Sequence, residues 1–270
     1  MVTERELAPA GLDVTVPNVA RMYDYYLGGK DNFEADRVAA HKVLELVPGL
    51  RRSAVENRKF LRRVVRFLAS EAGVTQFLDI GVGLPTQGAV HEVARQVNPR
   101  ARVAYVDVDP VVVAHGRALL AVADLSVMVQ ADVRQPAALL SSPEIRAHLD
   151  FTRPIAIGLF AILHFVSDAD DPAGIVACLR DAVVPGSYLA ISHVGTEFFP
   201  DKQAMARAAA VYEQANERVT PRSRDQILGF FGGFELVPPG LVPKHQWRPD
   251  VGEAAAGTPN IQWGGVGRRL

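Results

Sequence analysis

Cysteine is nearly absent from this sequence: Cys178 is the only one in 270 residues. A single thiol excludes a disulfide framework within the chain and a zinc site built on cysteine pairs, so no metal is expected, and it fits a reducing cytoplasm. Long apolar runs are missing too. The longest, Ile155 to Val166, is too short for a bilayer-spanning helix and is interrupted by His164. The opening stretch, Met1 to Val16, is mixed and polar, without the apolar centre of a secretory signal. Nor does one sign of charge dominate. With 29 basic and 30 acidic side chains the net charge is −1, which argues against nucleic acid or another polyanion as partner. No repeat or low-complexity tract is visible. What remains, 49% hydrophobic and 22% charged residues, is the composition of a water-soluble globular protein with ample core.

Periodicity divides the chain in two. Residues 1–16 read as a loose tail. A short helix over Val19 to Leu27 stops at Gly28-Gly29, where glycine supplies the backbone freedom of a C-cap. Ser53-Ala54-Val55-Glu56 has the form of a capping box and predicts the start of a second helix, with Phe60, Val64, Phe67 and Leu68 on one face. These elements define an N-terminal helical section, residues 1–73. Residues 74–270 alternate strand and helix. Apolar strands are expected at Thr75–Ile80, Val103–Val108, Val127–Val133, Ile155–Ile162 and Ser187–Val194, with helix starts at Asp109-Pro110 and Asp171-Pro172. Near-continuous apolar strands separated by helices predict an α/β, Rossmann-like parallel sheet covered on both faces. A helical stretch over about Pro200–Arg218 and another after Ser223 precede two short strands, Phe234–Val237 and Ile261–Gly265, expected as a hairpin added at a sheet edge.

In such a sheet the ligand lies beyond the carboxyl ends of the strands, beside the first one. The turn there runs Asp79-Ile80-Gly81-Val82-Gly83-Leu84-Pro85-Thr86. Gly81 and Gly83 let the backbone approach a ligand closely; the plainer reading is a tight structural turn. Asp107 ends the second strand, where an acid takes the hydroxyls of a ribose, and Asp132 ends the third, where a carboxylate can accept from an adenine amine. Each alone is equally an N-cap or turn residue; the pair at the same sheet edge reads as adenosine recognition. The dinucleotide fingerprint fails at its third glycine, which here is Thr86, and no Gly-Lys-Ser/Thr phosphate loop is present. Asp79 instead offers a carboxylate to an ammonium group, favouring a cofactor with an amino-acid end over one with a pyrophosphate.

Phe77-Leu78-Asp79-Ile80-Gly81-Val82-Gly83, Tyr105-Val106-Asp107-Val108-Asp109, Gln130-Ala131-Asp132-Val133 and Leu163-His164-Phe165-Val166-Ser167-Asp168 resemble successive motifs of class I S-adenosylmethionine-dependent methyltransferases. More narrowly, the stretch from Ala20-Arg21-Met22-Tyr23-Asp24-Tyr25-Tyr26 through Leu27-Gly28-Gly29-Lys30-Asp31-Asn32-Phe33, and the terminal Gly264-Gly265-Val266-Gly267-Arg268, resemble the S-adenosyl methyltransferase family, once a domain of unknown function. The resemblance covers nearly the whole chain; Pro85 departs from it, standing where the wider superfamily often has glycine. It implies a seven-stranded sheet with the last strand antiparallel, S-adenosylmethionine as cofactor and S-adenosylhomocysteine as product. The methionine end would lie against Gly81, Val82 and Gly83, the ribose on Asp107, the adenine beside Val108, Asp132 and Val133, and the amino group by Phe160 and Ala161.

Sulfonium methyl transfer needs chiefly an in-line nucleophile, so a base is optional. His164 is the candidate base, the plainer reading being that it hydrogen-bonds its loop in place; His193 has a weaker case. Tyr23 and its neighbours read either as a lid over cofactor and acceptor or as a helical cap. Arg51, Arg52, Arg58, Lys59, Arg62, Arg63 and Arg66 read as a solvated basic face, with Arg58 able to reach a cofactor carboxylate. The leading expectation is a methyltransferase acting on a small molecule whose pocket is shaped by about Gly195 to Phe231, with no membrane partner. A non-catalytic S-adenosylmethionine-binding module and an NAD-dependent oxidoreductase are the alternatives.

Overall fold

The computed structural model describes residues 13–85, 88–119, 124–215, 217–250, 252 and 260–270. Three helices come first: α1 (Val19–Leu27), α2 (Glu34–Leu46) and α3 (Leu50–Ser70). The α/β part follows as β1 (Gln76–Ile80), α4 (Val90–Val97), β2 (Arg102–Asp107), α5 (Pro110–Leu119), β3 (Ser126–Gln130), α6 (Pro136–Ser141), α7 (Pro143–His148), β4 (Ala156–Phe160), α8 (Pro172–Asp181) and β5 (Tyr188–Val194). The chain closes with α9 (Lys202–Glu213), α10 (Arg224–Gly229), β6 (Phe234–Leu236), β7 (Val242–Pro243) and β8 (Gln262–Arg269). Every residue of β1 and β5 is buried, as strands covered on both faces must be. The sheet order is β3-β2-β1-β4-β5-β8-β6, with β7 beside β8. β1 to β5 are parallel, and β8 runs antiparallel to both β5 and β6. This is a Rossmann-like sheet with its switch point between β1 and β4, plus one two-residue strand beyond the expected seven. Among the described residues no helix is long and apolar enough to cross a membrane.

Local signals account for most boundaries. α1 ends where Gly28 turns left-handed at φ +81°, and α8 begins at Asp171, whose side chain accepts from Gly174 N at 3.0 Å. Three features differ in detail from the sequence reading. α3 begins at Leu50, not at a Ser53 capping box: the chain turns at Pro48-Gly49, and Ser53 lies inside the helix, its hydroxyl accepting from Lys244 Nζ at 2.5 Å. α2 was unanticipated, because its N-cap is Phe33 and its capping bond comes from Asp36, which accepts from Phe33 N. The terminal strands do pair antiparallel at the sheet edge beyond β5, through a long connection in place of a tight turn; β6 takes the outer place, and β8 lies between it and β5. Its glycines permit this, since a Cβ on Gly264 would meet Phe60 at 2.9 Å and one on Gly267 would meet Phe234 at 2.7 Å.

The core has three parts. One cluster, including Leu78, Val106, Ile157 and Leu179, fills one side of the sheet; another, including Phe60, Val64, Tyr105 and Trp247, fills the other. The third joins α1, α2 and α9 through Met22, Tyr26, Val43, Ala208 and Val211. This last cluster roofs the carboxyl edge of the sheet.

Candidate functional site

At that edge lies a cleft of about 1090 Å³, including its open mouth. Its floor is the turn after β1. Gly81 and Gly83 both have left-handed backbones, φ +74° and +65°, which side-chain-bearing residues adopt reluctantly. A Cβ on Gly81 would come within 2.6 Å of Ile162, whereas at Gly83 nothing lies within 4 Å. Gly83 N donates to Asp107 Oδ2 at 2.9 Å, and Asp109 N to Asp107 Oδ1 at 3.0 Å. Each Asp107 oxygen thus keeps lone pairs for a further donor, such as a hydroxyl. Burial raises the Asp107 pKa, partly offset by those backbone donors.

Two oppositely charged side chains in the cleft make no hydrogen bond among the described residues. Asp79 is only 5% exposed and its carboxylate makes no hydrogen bond among the described residues. Burial pushes its pKa from 3.8 to about 7, with Arg58 lowering it and Asp107 raising it. Arg58, on α3, lines the same cleft with a buried Nε that lacks a partner. Buried polar groups are otherwise nearly always paired, so the cleft fits a ligand bearing both an ammonium and a carboxylate.

All twelve residues expected around the cofactor line this cleft: Tyr23, Arg58, Asp79, Gly81, Val82, Gly83, Asp107, Val108, Asp132, Val133, Phe160 and Ala161. Asp132 is more occupied than expected. Arg134 N and Nε donate to its Oδ1 at 2.9 and 3.0 Å, and Arg134 Nη2 reaches Oδ2 at 2.8 Å. Against a burial effect in the other direction, these bonds hold the Asp132 pKa low. Thr86 lies outside the described residues. The basic cluster does not stay together as a solvated face: Arg58 enters the cleft, while buried Arg63 pairs with Glu56 at 2.9 Å and donates to the carbonyls of Lys244 and Trp247.

A second chamber of about 710 Å³ adjoins the first and shares Val19, Tyr23, Ala161 and Phe165 with it. Between them runs a hydrogen-bond chain that sequence reading missed. Ala161 N donates to Ser192 Oγ at 2.9 Å, Ser192 Oγ to Asn57 Oδ1 at 2.6 Å, Asn57 Nδ2 to Tyr23 OH at 3.1 Å, and Tyr23 OH to Ala54 O at 3.2 Å. These residues sit on four separate elements, so no local pattern marks them. Asn18 was missed as well: it caps α1 by accepting from Arg21 N and ties that helix to the end of β2 through Asp109 Oδ2 at 2.6 Å.

His164 lines the second chamber. Its side chain does not anchor the loop: neither ring nitrogen has a hydrogen-bond partner among the described residues, and Nδ1 is buried. The loop is held by backbone and by Arg222. Thr220 N donates to His164 O at 2.7 Å, and the Arg222 guanidinium donates to Leu163 O and Val166 O at 2.9 and 2.8 Å and pairs with Asp168. His193 is engaged by the same arginine, its Nε2 3.0 Å from Arg222 Nη1 and its Nδ1 2.8 Å from Val194 O.

Comparison with known proteins follows this geometry. The sequence profile of the S-adenosyl methyltransferase family matches residues 5–270. A crystal structure of a DUF574 family protein from Streptomyces avermitilis is 41% identical over 96% of this chain and 99% of its own, with a TM-score of 0.90. A candidate methyltransferase from Thermobifida fusca is 46% identical over 97% and 98%, with a TM-score of 0.88. An S-adenosylmethionine-dependent methyltransferase from Anabaena variabilis shares the fold at 15% identity, TM-score 0.53, over 96% and 99%. No curated protein matches. A match across almost the entire chain displaces the oxidoreductase reading, and the chain belongs to the S-adenosyl methyltransferase family, enzymes that transfer the methyl group of S-adenosylmethionine.

Proposed function

We propose that this methyltransferase acts on a small molecule, in the cytoplasm, holding S-adenosylmethionine in the larger cleft with its amino-acid end between Asp79 and Arg58. The observation that carries the placement is a buried Asp79 carboxyl without a hydrogen bond and an Arg58 whose buried Nε lacks a partner, both beside a glycine turn. Asp79 takes the ammonium, Arg58 the carboxylate, Asp107 the ribose hydroxyls, and Gly83 leaves room for close approach of the ligand. Val108, Val133 and the Asp132–Arg134 pair border the adenine, and Phe160 and Ala161 flank the methionine. When bound, the cofactor supplies an activated methyl group; the protein supplies orientation and excludes water, which together account for ~7–11 kcal/mol in well-aligned reactions.

In the same reading, the described part of the N-terminal helical section, residues 13–73, forms a lid over the α/β part that follows. Asn18, Val19, Ala20 and Tyr23 line the cleft, and the segment is internally braced. Buried Asp36 accepts from Arg21 Nε, Asn18 N and Phe33 N at 2.7–2.8 Å, and Asp24 accepts from Asp31 N and Asn32 Nδ2. A Cβ on Gly29 would strike the Asp24 carboxylate, which explains the second glycine of the pair. Titration calorimetry with S-adenosylhomocysteine and with NAD tests the cleft assignment. S-adenosylhomocysteine is expected to bind and NAD to give no heat; the reverse would sink the proposal.

A further inference from the structure

The second chamber differs from the cofactor cleft in one respect that identifies what it holds. The cleft is lined by Arg58, Asp79, Asp107, Asp109, Asp132, Arg134 and Glu217. Among the described residues, those lining the chamber include no Asp, Glu, Lys or Arg. Its walls are aliphatic side chains of α1, α2 and α9 together with the rings of Tyr26, Phe165, Phe199 and Tyr212. The tyrosine hydroxyls are largely engaged: Tyr26 and Tyr212 bond to each other at 3.2 Å, which uses one of their two hydrogens, and Tyr23 belongs to the chain that ends on Ala54. A charged guest would be desolvated there without a counter-ion, at a cost of several kcal/mol.

Besides the hydroxyl hydrogen left over on that tyrosine pair, two polar side chains in this apolar space have a group without a partner among the described residues. One is the His164 imidazole, 4% exposed and without a hydrogen bond. The other is the Gln262 amide. Lys244, 0% exposed, donates through Nζ to Gln262 Oε1 at 2.5 Å and to Ser53 Oγ at 2.5 Å. The Gln262 oxygen faces Lys244 Nζ, and the Nε2 donor is left with no partner among the described residues. The chamber therefore offers one lone pair that can accept a proton and one donor for an oxygen, set among rings and aliphatic carbons.

We propose that this chamber is the acceptor site, and that it takes an uncharged aromatic molecule bearing a hydroxyl group, methylated on that oxygen with His164 as the base and Gln262 as a second polar anchor. The proposal rests on the placement of S-adenosylmethionine in the adjoining cleft. The acceptor oxygen forms a bond to the methyl carbon as the carbon–sulfur bond breaks, and the sulfur keeps that electron pair. The hydroxyl proton passes to a ring nitrogen of His164 and from there to water. Burial chiefly, and then His193, Lys244 and Arg222, hold the His164 pKa well below 6.5, so the imidazole is neutral and its lone pair is available. The Arg222 guanidinium behind it disfavours an ammonium acceptor and favours negative charge growing on oxygen. A phenolic hydroxyl, with a pKa of about 10, yields its proton to so weak a base far more readily than an aliphatic hydroxyl, which behaves like water at about 15.7.

The test uses the full chain with naphthol, naphthol sulfonate and S-adenosylhomocysteine as probes. S-adenosylhomocysteine is titrated first, with no acceptor present; failure to bind would overturn the cofactor placement and not this inference. Naphthol is then expected to bind the S-adenosylhomocysteine complex, and naphthol sulfonate to bind at least about tenfold more weakly. Ala209→Trp, on the α9 wall, is expected to weaken naphthol by about tenfold or more, with S-adenosylhomocysteine affinity unchanged. With S-adenosylmethionine, naphthyl methyl ether and S-adenosylhomocysteine should form in equal amounts, and His164→Gln should slow this by about 100-fold or more at unaltered affinities. Equal binding of the sulfonate, indifference to Ala209→Trp, bound naphthol without ether, or a wild-type rate in His164→Gln would each overturn it.

Discussion

Asp79→Asn should make the protein more stable and less able to bind its cofactor. In the unfolded chain this carboxyl ionises near 3.8, while in the folded, ligand-free protein burial holds it at about 7. A folded pKa above the unfolded one means that raising the pH from about 4 to 7 ionises the unfolded state first. The folded state loses ground across that window, by about 4 kcal/mol once pH exceeds 7. Asparagine removes the charge but leaves an unpaired amide costing about 1–3 kcal/mol. The net gain is then about 1–3 kcal/mol, a rise in Tm of about 3–10 °C for a chain of this length. Binding moves the other way. An ammonium ligand selects the ionised carboxylate, so lowering the pH from 7 to 5 should weaken S-adenosylhomocysteine by about 50-fold, about 2 kcal/mol. A carboxylate at 3.8 would leave that range almost flat. Scanning calorimetry and binding titrations across pH 5–7 read both effects. Asp107, also raised by burial, adds a component that persists in the variant, so the difference between the two pH profiles belongs to Asp79. A lowered Tm together with a pH-independent wild-type affinity would refute the reasoning.

Two further outcomes follow from the site. Asp107→Ala should cost S-adenosylhomocysteine affinity about 1–3 kcal/mol by stranding the ribose hydroxyls and Gly83 N, and unchanged calorimetric affinity would argue against a ribose there. Asn18→Ser keeps a good N-cap for α1 but cannot span to Asp109, so S-adenosylhomocysteine should dissociate roughly tenfold faster at a nearly unchanged Tm; an unaltered off-rate in stopped-flow measurements would count against the lid.

The parallel core was legible because its signals are local. Apolar runs, the Asp-Pro helix starts and the glycine turn after β1 each depend on neighbouring residues alone. The residues proposed to hold the cofactor were legible for a related reason: a parallel sheet brings successive strand ends to one edge, so Asp79, Asp107 and Asp132 could be placed together without knowing any long-range contact. The rest depended on partners far apart in the chain. Ser53 is a good N-cap residue by type, yet Lys244, 191 positions away, draws it into a buried network. Arg63 looked like its solvent-facing neighbours until Trp247 and Lys244 supplied the carbonyls that bury it. Gln262, Arg222 and Ser192 carry no motif at all.

The chain from Ala161 to Ala54 has a direction. It starts on a backbone N–H, which only donates, and ends on a backbone carbonyl, which only accepts. Every proton between them is thereby assigned: the hydroxyls of Ser192 and Tyr23 and the amide of Asn57 have one orientation each that satisfies all members. Reversal would break the bond from Tyr23 OH to Ala54 O and take the Asn57 acceptor away from the Ser192 hydroxyl hydrogen. Tyr23, which borders both cavities, has its hydrogen turned back toward α3, so its oxygen keeps only lone-pair character for any further neighbour. An atom resting against that oxygen must be electron-poor, as the hydrogens of a methyl group on a positive sulfur are, and a carbonyl or ether oxygen is turned away from the same spot.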